Sequence, residues 1–204
     1  MIHENVKTDF VSREYTPVID ASAYVHPLAA VIGNVILGKN VMVAPFASVR
    51  GDEGQPIYVG DDSNVQDGVI IHALETEHHG HPVEKNLVEV SGKKYAVYVG
   101  TRVSLAHQVQ IHGPAFVGDS SFIGMQSLVF RARVGKGCVV EPKSLIMGVT
   151  IPDGRYVPAG SVIKTQHDAD NLPVIDDSYP FKSLNDGVIH VNVALAAGYK
   201  AKKI

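Results

Sequence analysis

Three histidines could together hold one metal ion, two of them set side by side by a repeating backbone. His107 and His112 lie five residues apart in SLAHQVQIHGPA, and His72 sits in a second apolar stretch, GVIIHALE. Imidazoles suit Zn, Fe(II) or Co(II). Three of them with an open fourth position make a catalytic zinc arrangement, because structural zinc sites usually fill all four positions. Carboxylates flank the same region: Glu53 lies close to Arg50, and Glu75 follows His72 by three residues. A carboxylate between such a centre and bulk water is suited to relay a proton, although exposed loop acids are the plainer alternative. A lone histidine on a strand is likewise more often a surface residue than a ligand. Whether these residues do chemistry depends on whether the backbone gathers them.

Aliphatic residues recur every six positions at Val99, Leu105, Ile111, Val117 and Ile123, and earlier at Ile19, Val25, Val31, Leu37, Val43 and Val49. A period of six fits neither a helix nor a simple alternating strand. It fits a parallel β-helix, in which each short strand turns a corner before the next begins. The fifth position of each hexad is small or β-branched, as in Ala23, Ala29, Val35, Val41 and Ala47, which a tight corner inside a close-packed column requires. Cys138 occupies such a position and reads as a buried core thiol. The rhythm slips by four residues at Gly51–Tyr58 and by one at Val134. Three hexads make a triangular coil of about 18 residues, and about seven coils would stack about 4.8 Å apart into a prism. The expected fold is therefore mainly β.

That register decides which side chains meet. With a polar excursion at about 76–96 removed, the hexads at Val49, Ile71, Ile111 and Val129 share one face of the prism. The residues that follow them, Arg50, His72, His112 and Phe130, then form an outward column. His72 and His112 become neighbours one strand spacing apart. His107 falls on the preceding face, alongside the hexad that carries Gln66. One prism does not turn it toward the other two, whereas a neighbouring prism would, and three identical prisms about a three-fold axis would close a ring.

The rest of the chain sets bounds. Residues 1–167 read as the β-helix unit with an N-terminal extended segment, and 168–204 as a C-terminal helical segment of the same domain. Asp168–Leu172 reads as a short helical turn. Asn185–Lys200 reads as an amphipathic helix along the prism, with Asn185 as its cap and Val188, Val191, Leu195 and Tyr199 on one face; Lys200, Lys202 and Lys203 suit its C-terminus. With 45% apolar residues and a formal charge of -3 the chain is globular, and no basic block invites a nucleic acid. No apolar run approaches the roughly 18 residues of a membrane span. A single cysteine excludes an intrachain disulfide. MIHENVKTDF has no signal-peptide core, so a cytoplasmic protein is expected unless a leader has been removed.

On these residues the chain resembles the γ-class carbonic anhydrases, particularly the archaeal type. The similarity is carried by SVRGDEGQPIYVGDDSNVQDGVIIHALE (48–75), SLAHQVQIHGPA (104–115) and IPDGRYVPAGSVI (151–163), and it runs from about Pro17 to Tyr199. The third stretch is shared with many hexapeptide-repeat proteins and says little about chemistry. The resemblance implies a left-handed coil, against the usual hand of parallel crossovers, and a homotrimer with metal sites at subunit interfaces. It implies Zn2+, with Fe2+ or Co2+ as alternatives, and reversible hydration of carbon dioxide to bicarbonate and a proton by metal-bound hydroxide. His72, His107 and His112 would be the ligands, with His107 coming from the adjacent subunit. Glu53 would hydrogen-bond the hydroxide and pass its proton on, and Glu75 would shuttle it to solvent. Gln66 would contact the bound water or bicarbonate, and Asn64 would line the pocket. Arg50 and Asp67 would pair near the interface, and Asn192 matches a pocket residue.

Two other readings share the repeat. Acyltransferases that use coenzyme A or acyl carrier protein need one catalytic histidine and a pantetheine groove, not three histidines on a metal. Scaffold homologues of the γ class, which bind metal with little activity, often lack the counterparts of Glu53 or Glu75 and the excursion; this chain has all three. Its excursion departs from archaeal relatives in carrying His78, His79 and His81 beside Glu77 and Glu84. With pKa values near 6.5 these imidazoles would either assist proton export or bind stray metal on a solvated loop.

Overall fold

Strands of two to four residues, separated by tight turns, stack into three parallel sheets in the computed structural model, which describes residues 1–202. The first face runs from Ile2–His3 through Ala30–Gly33, Ser48–Gly51, Ile70–His72, Gln110–His112, Leu128–Phe130 and Leu145–Met147 to Val162–Ile163, eight strands in all. The second and third faces carry seven each. The solenoid thus has about eight turns rather than seven. The extra rung comes from the N-terminal segment, where Ile2–His3 pairs with Val31–Ile32.

The column inside is aliphatic. Val31, Val49, Ile71, Ile111, Val129 and Ile146 of the first face are fully buried, as are Leu37, Val59, Val99 and Val117 of the second. Burying each such side chain contributes about 1.5–3 kcal/mol. The small fifth-position residues Ala23, Ala29, Val35, Val41 and Ala47 are buried at the corners, and so is Cys138, whose thiol is pushed up to about 11 by burial. Outside, Tyr58, Tyr98 and Phe116 stack along the second face at 5.0 and 5.5 Å, with the Arg133 guanidinium 4.2 Å from the Phe116 ring centre.

The excursion is more ordered than its composition suggests. It folds as two small antiparallel hairpins, Glu77–His78 with His81–Pro82 and Val88–Val90 with Lys93–Tyr95. A 3-10 turn, Glu84–Asn86, lies between them. Strands of two or three residues are too short to show an alternating pattern. Glu77 is buried and accepts from the Ser12 N–H at 3.3 Å, so the N-terminal segment braces the first hairpin. At the four-residue slip, Gly54 has φ +104, and a Cβ there would lie 2.5 Å from the Glu77 Cβ.

Two helical expectations shift. The short helix, α1, is Gln166–Asp170, two residues earlier than expected, because Thr165 caps it by accepting from the Asp168 N–H. The long helix, α2, is Leu184–Lys202. Asn185 lies inside it and donates to the Arg102 carbonyl at 2.9 Å instead of capping. The helix packs along the third face. Its buried stripe is Asn185, Ile189 and Ala196, with Tyr199 stacked on Tyr24 at 5.1 Å. Val191 and Leu195, expected on the packed face, are exposed, because the small Ala196 lets a neighbouring stripe approach the sheet. Lys203 lies outside the described residues.

Candidate functional site

The sheet register sets His72 directly beside His112, and His112 beside Phe130. Ile71 pairs with Val49 on the coil before, which brings Arg50 to the preceding rung of the same column. The two imidazole centres are 5.7 Å apart, with their planes 79° apart. Three groups converge on His72 Nε2: an Arg50 guanidinium nitrogen at 3.1 Å, an Asp52 carboxylate oxygen at 3.2 Å and a Glu53 carboxylate oxygen at 3.4 Å. Burial raises the Asp52 pKa, but the hydrogen bond from His72 and the Arg50 charge outweigh it and leave the carboxyl below its ordinary value. The other Glu53 oxygen accepts the backbone N–H of Glu75. Glu75 is exposed, at φ 48, with its carbonyl accepting from Asn86 Nδ2 at 2.9 Å.

His107 stands apart, on the turn between the third and first faces. The Gln108 N–H donates to the Asp67 carbonyl, stacking two successive turns and bringing His107 Nδ1 within 3.0 Å of the Asp67 carboxylate. Behind this pair lies a buried polar ladder in which Gln66 Nε2 donates to Asn64 Oδ1, and Asn64 Nδ2 to Ser104 Oγ, each at 2.9 Å. Gln66, Asp67 and His107 on one side and Asn192 of α2 on the other line a trough of about 770 Å³ between the third face and α2. Its other lining includes Met42, Phe122, Val139, Leu184, Val191 and Leu195.

Among the described residues, no three histidine, cysteine or acidic side chains of one chain gather as a metal-holding group. Within the chain Arg50 lies on Asp52 and Asp67 lies on His107, so the Arg50–Asp67 pair that the resemblance implies is not among the ion pairs of a single subunit. The donors nonetheless suit a divalent ion. A carbonyl only accepts, so His112 Nδ1, 3.2 Å from the Gly113 carbonyl, carries the proton and Nε2 keeps its lone pair. Asp67 fixes His107 in the same tautomer, an arrangement typical of metal-bound histidine. His72 Nε2 lies among two carboxylate oxygens and the Arg50 guanidinium.

Four contributors escape the sequence reading. Asp52 lies in the four-residue slip, where the hexad phase is lost. Ser104 pairs with Asn64 in register across a gap of forty residues opened by the excursion. Asn86 and Arg131 meet at 3.1 Å from distant parts of the chain. Only Ser104 left a signal, its hexad position under Asn64. His78, His79 and His81 are exposed on the first hairpin.

No protein-family model matches the chain. Among individual relatives, it is 58% identical over 200 residues to the carbonic anhydrase of Methanosarcina thermophila, covering 98% of this chain and 81% of that one. It is 46% identical over 181 residues to the carboxysome assembly protein CcmM of a Nostoc species, but spans only 31% of that protein's length. It is 30% identical over 148 residues to the mitochondrial gamma carbonic anhydrase 2 of Arabidopsis thaliana, covering 72% of this chain and 46% of that one. A hexapeptide transferase family protein from Anaplasma phagocytophilum and a putative acetyltransferase from Bacillus cereus both superpose with a TM-score of 0.68, at 23% and 21% identity. They cover 91% and 92% of this chain and 93% of each of theirs, a likeness of fold alone. With more than half its residues shared along nearly its whole length with the first of these relatives, the chain belongs to the γ-class carbonic anhydrases of the hexapeptide-repeat family.

Proposed function

We propose that this chain catalyses the reversible hydration of carbon dioxide to bicarbonate and a proton, as a homotrimer with a divalent ion at each subunit interface. The ion is Zn2+, with Fe2+ or Co2+ as alternatives. The observation that carries this reading is the division of the histidines: His72 and His112 share one column, and His107 stands on another face. His72 and His112 of one subunit and His107 of the next would hold the ion. When bound, it supplies the Lewis acidity that makes water acidic near neutral pH.

The chain's own residues do the rest. Asp67 holds His107 in one tautomer, and the Gly113 carbonyl does the same for His112. Gln66 is anchored through its amide nitrogen on Asn64, so its Oε1 is free to accept a hydrogen bond from the attacking water or to orient bicarbonate. Asn64 works through Gln66, since its own amide is tied to Ser104. Arg50 and Asp67 would meet across the interface, and Asn192 would line it. Carbon dioxide takes up the nucleophilic oxygen without needing a proton, so each turnover must instead export one. Glu53, with one oxygen near His72 Nε2 and the other on the Glu75 N–H, is placed to take that proton. Glu75, exposed and next in line, is placed to deliver it to buffer.

Stopped-flow carbon dioxide hydration on protein loaded separately with Zn2+, Fe2+ and Co2+, with metal analysis and solution mass, tests the proposal. Hydration by a trimer holding about one ion per chain is expected. Acetyl transfer from acetyl-CoA without hydration would overturn it in favour of a transferase. A metal-loaded trimer without hydration would favour a scaffold role of the CcmM kind.

A further inference from the structure

We infer that Asn86 and Arg131 are positioning residues for proton exit: together they latch the Glu75 turn to the strand that carries His112. The assignment rests on the role proposed above for Glu75. Glu75 sits in the left-handed region at φ 48, which is unfavourable for a residue with a Cβ. Such conformations persist where the surroundings hold them. Here the Glu75 N–H donates to the Glu53 carboxylate, and its carbonyl accepts from Asn86. Asn86 is 5% exposed, and both ends of its amide are used, Nδ2 on Glu75 at 2.9 Å and Oδ1 on Arg131 Nη1 at 3.1 Å. Arg131 also donates to the Lys85 carbonyl at 3.2 Å, and its backbone N–H donates to the His112 carbonyl at 3.0 Å. An unbroken set of hydrogen bonds thus joins the backbone of His112 to the backbone of Glu75 by way of the excursion. The excursion thus fixes the backbone turn from which the Glu75 side chain projects. Neither Asn86 nor Arg131 touches the reacting atoms.

Asn86→Asp separates the two bonds, because a carboxylate still accepts from Arg131 but has no N–H for the Glu75 carbonyl. In dilute buffer its kcat should fall about tenfold, with kcat/KM unchanged and kcat restored by concentrated imidazole. Arg131→Gln should move kcat the same way by a smaller factor. Amide exchange over residues 73–87 should quicken in both variants, while peptides of the β-helix core stay protected. Unchanged exchange there, or kcat and kcat/KM falling together without buffer rescue, would overturn the latch. Wild-type protein without hydration would overturn the Glu75 role and this assignment with it. Hydration with both variants indistinguishable from wild type would overturn the latch alone.

Discussion

The His72–His112 cluster and the His107 cluster are built by different means. Register alone sets His72 beside His112, because both follow a buried aliphatic residue on one face. His107 depends instead on two stacked turns and the Asp67 carboxylate, with its side chain 52% exposed against 14% for His72. The first cluster carries Arg50, Asp52 and Glu53 and leads to Glu75; the second is backed by the amides of Gln66 and Asn64. The carboxylates that lead toward Glu75 lie on one side, and the amides of Gln66 and Asn64, beside the Asp67–His107 pair, lie on the other.

The largest effect that separates the two is expected at Glu75. Glu75→Ala should lower kcat in dilute buffer by about 10²-fold and spare kcat/KM, with recovery in imidazole. A parallel loss in both parameters would break the assignment of proton exit to the first cluster. Next comes Asp67→Ala, which removes the acceptor that fixes His107. Competition with a chelator should show metal affinity about tenfold weaker, and unchanged affinity would make the pair ornamental. Gly54→Ala probes the slip beneath the first cluster. The left-handed φ and the Glu77 Cβ 2.5 Å away predict about 3 kcal/mol lost in urea unfolding. Gly68→Ala, on the turn beside Asp67, meets only Gln108 Cγ at 3.3 Å and should lose about 1 kcal/mol.

Cys138 belongs to neither cluster and provides a reference. Its thiol lies above the ordinary value of 9.0, at about 11, through burial. Its contribution to stability is fully present below the unfolded pKa and is lost as pH rises from about 9 to 11, by up to about 3 kcal/mol. Thiol reagents should leave the folded protein unlabelled at pH 8 and label it on unfolding.

The first cluster was far more legible in the sequence than its surroundings. Aliphatic residues six apart give the phase of each face, and that phase alone brings Arg50, His72, His112 and Phe130 into a column and sets His107 on another face. Asp52 was not legible, because the four-residue slip erases the phase and its approach to His72 depends on how the Gly54 turn closes. Asn86 and Arg131 were not legible, because hydrogen bonds between an excursion and a later coil leave no periodic trace. In α2 the apolar spacing put Val191 and Leu195 on the packed face, but both are exposed, because spacing alone does not say which stripe of a helix turns toward the sheet. Asn185 looked like a cap because its preference for helix starts is local, whereas its partner, the Arg102 carbonyl, is more than eighty residues away.

Subunit mixing tests most directly whether each centre is shared between chains. His72→Ala and His107→Ala proteins, each inactive alone, are dissociated together and reassembled. In any mixed trimer one interface joins an intact His72 and His112 to an intact His107, so carbon dioxide hydration should return to at most about one third of the wild-type rate. No recovery on mixing, or full activity in an isolated wild-type subunit, would contradict a centre divided between two chains.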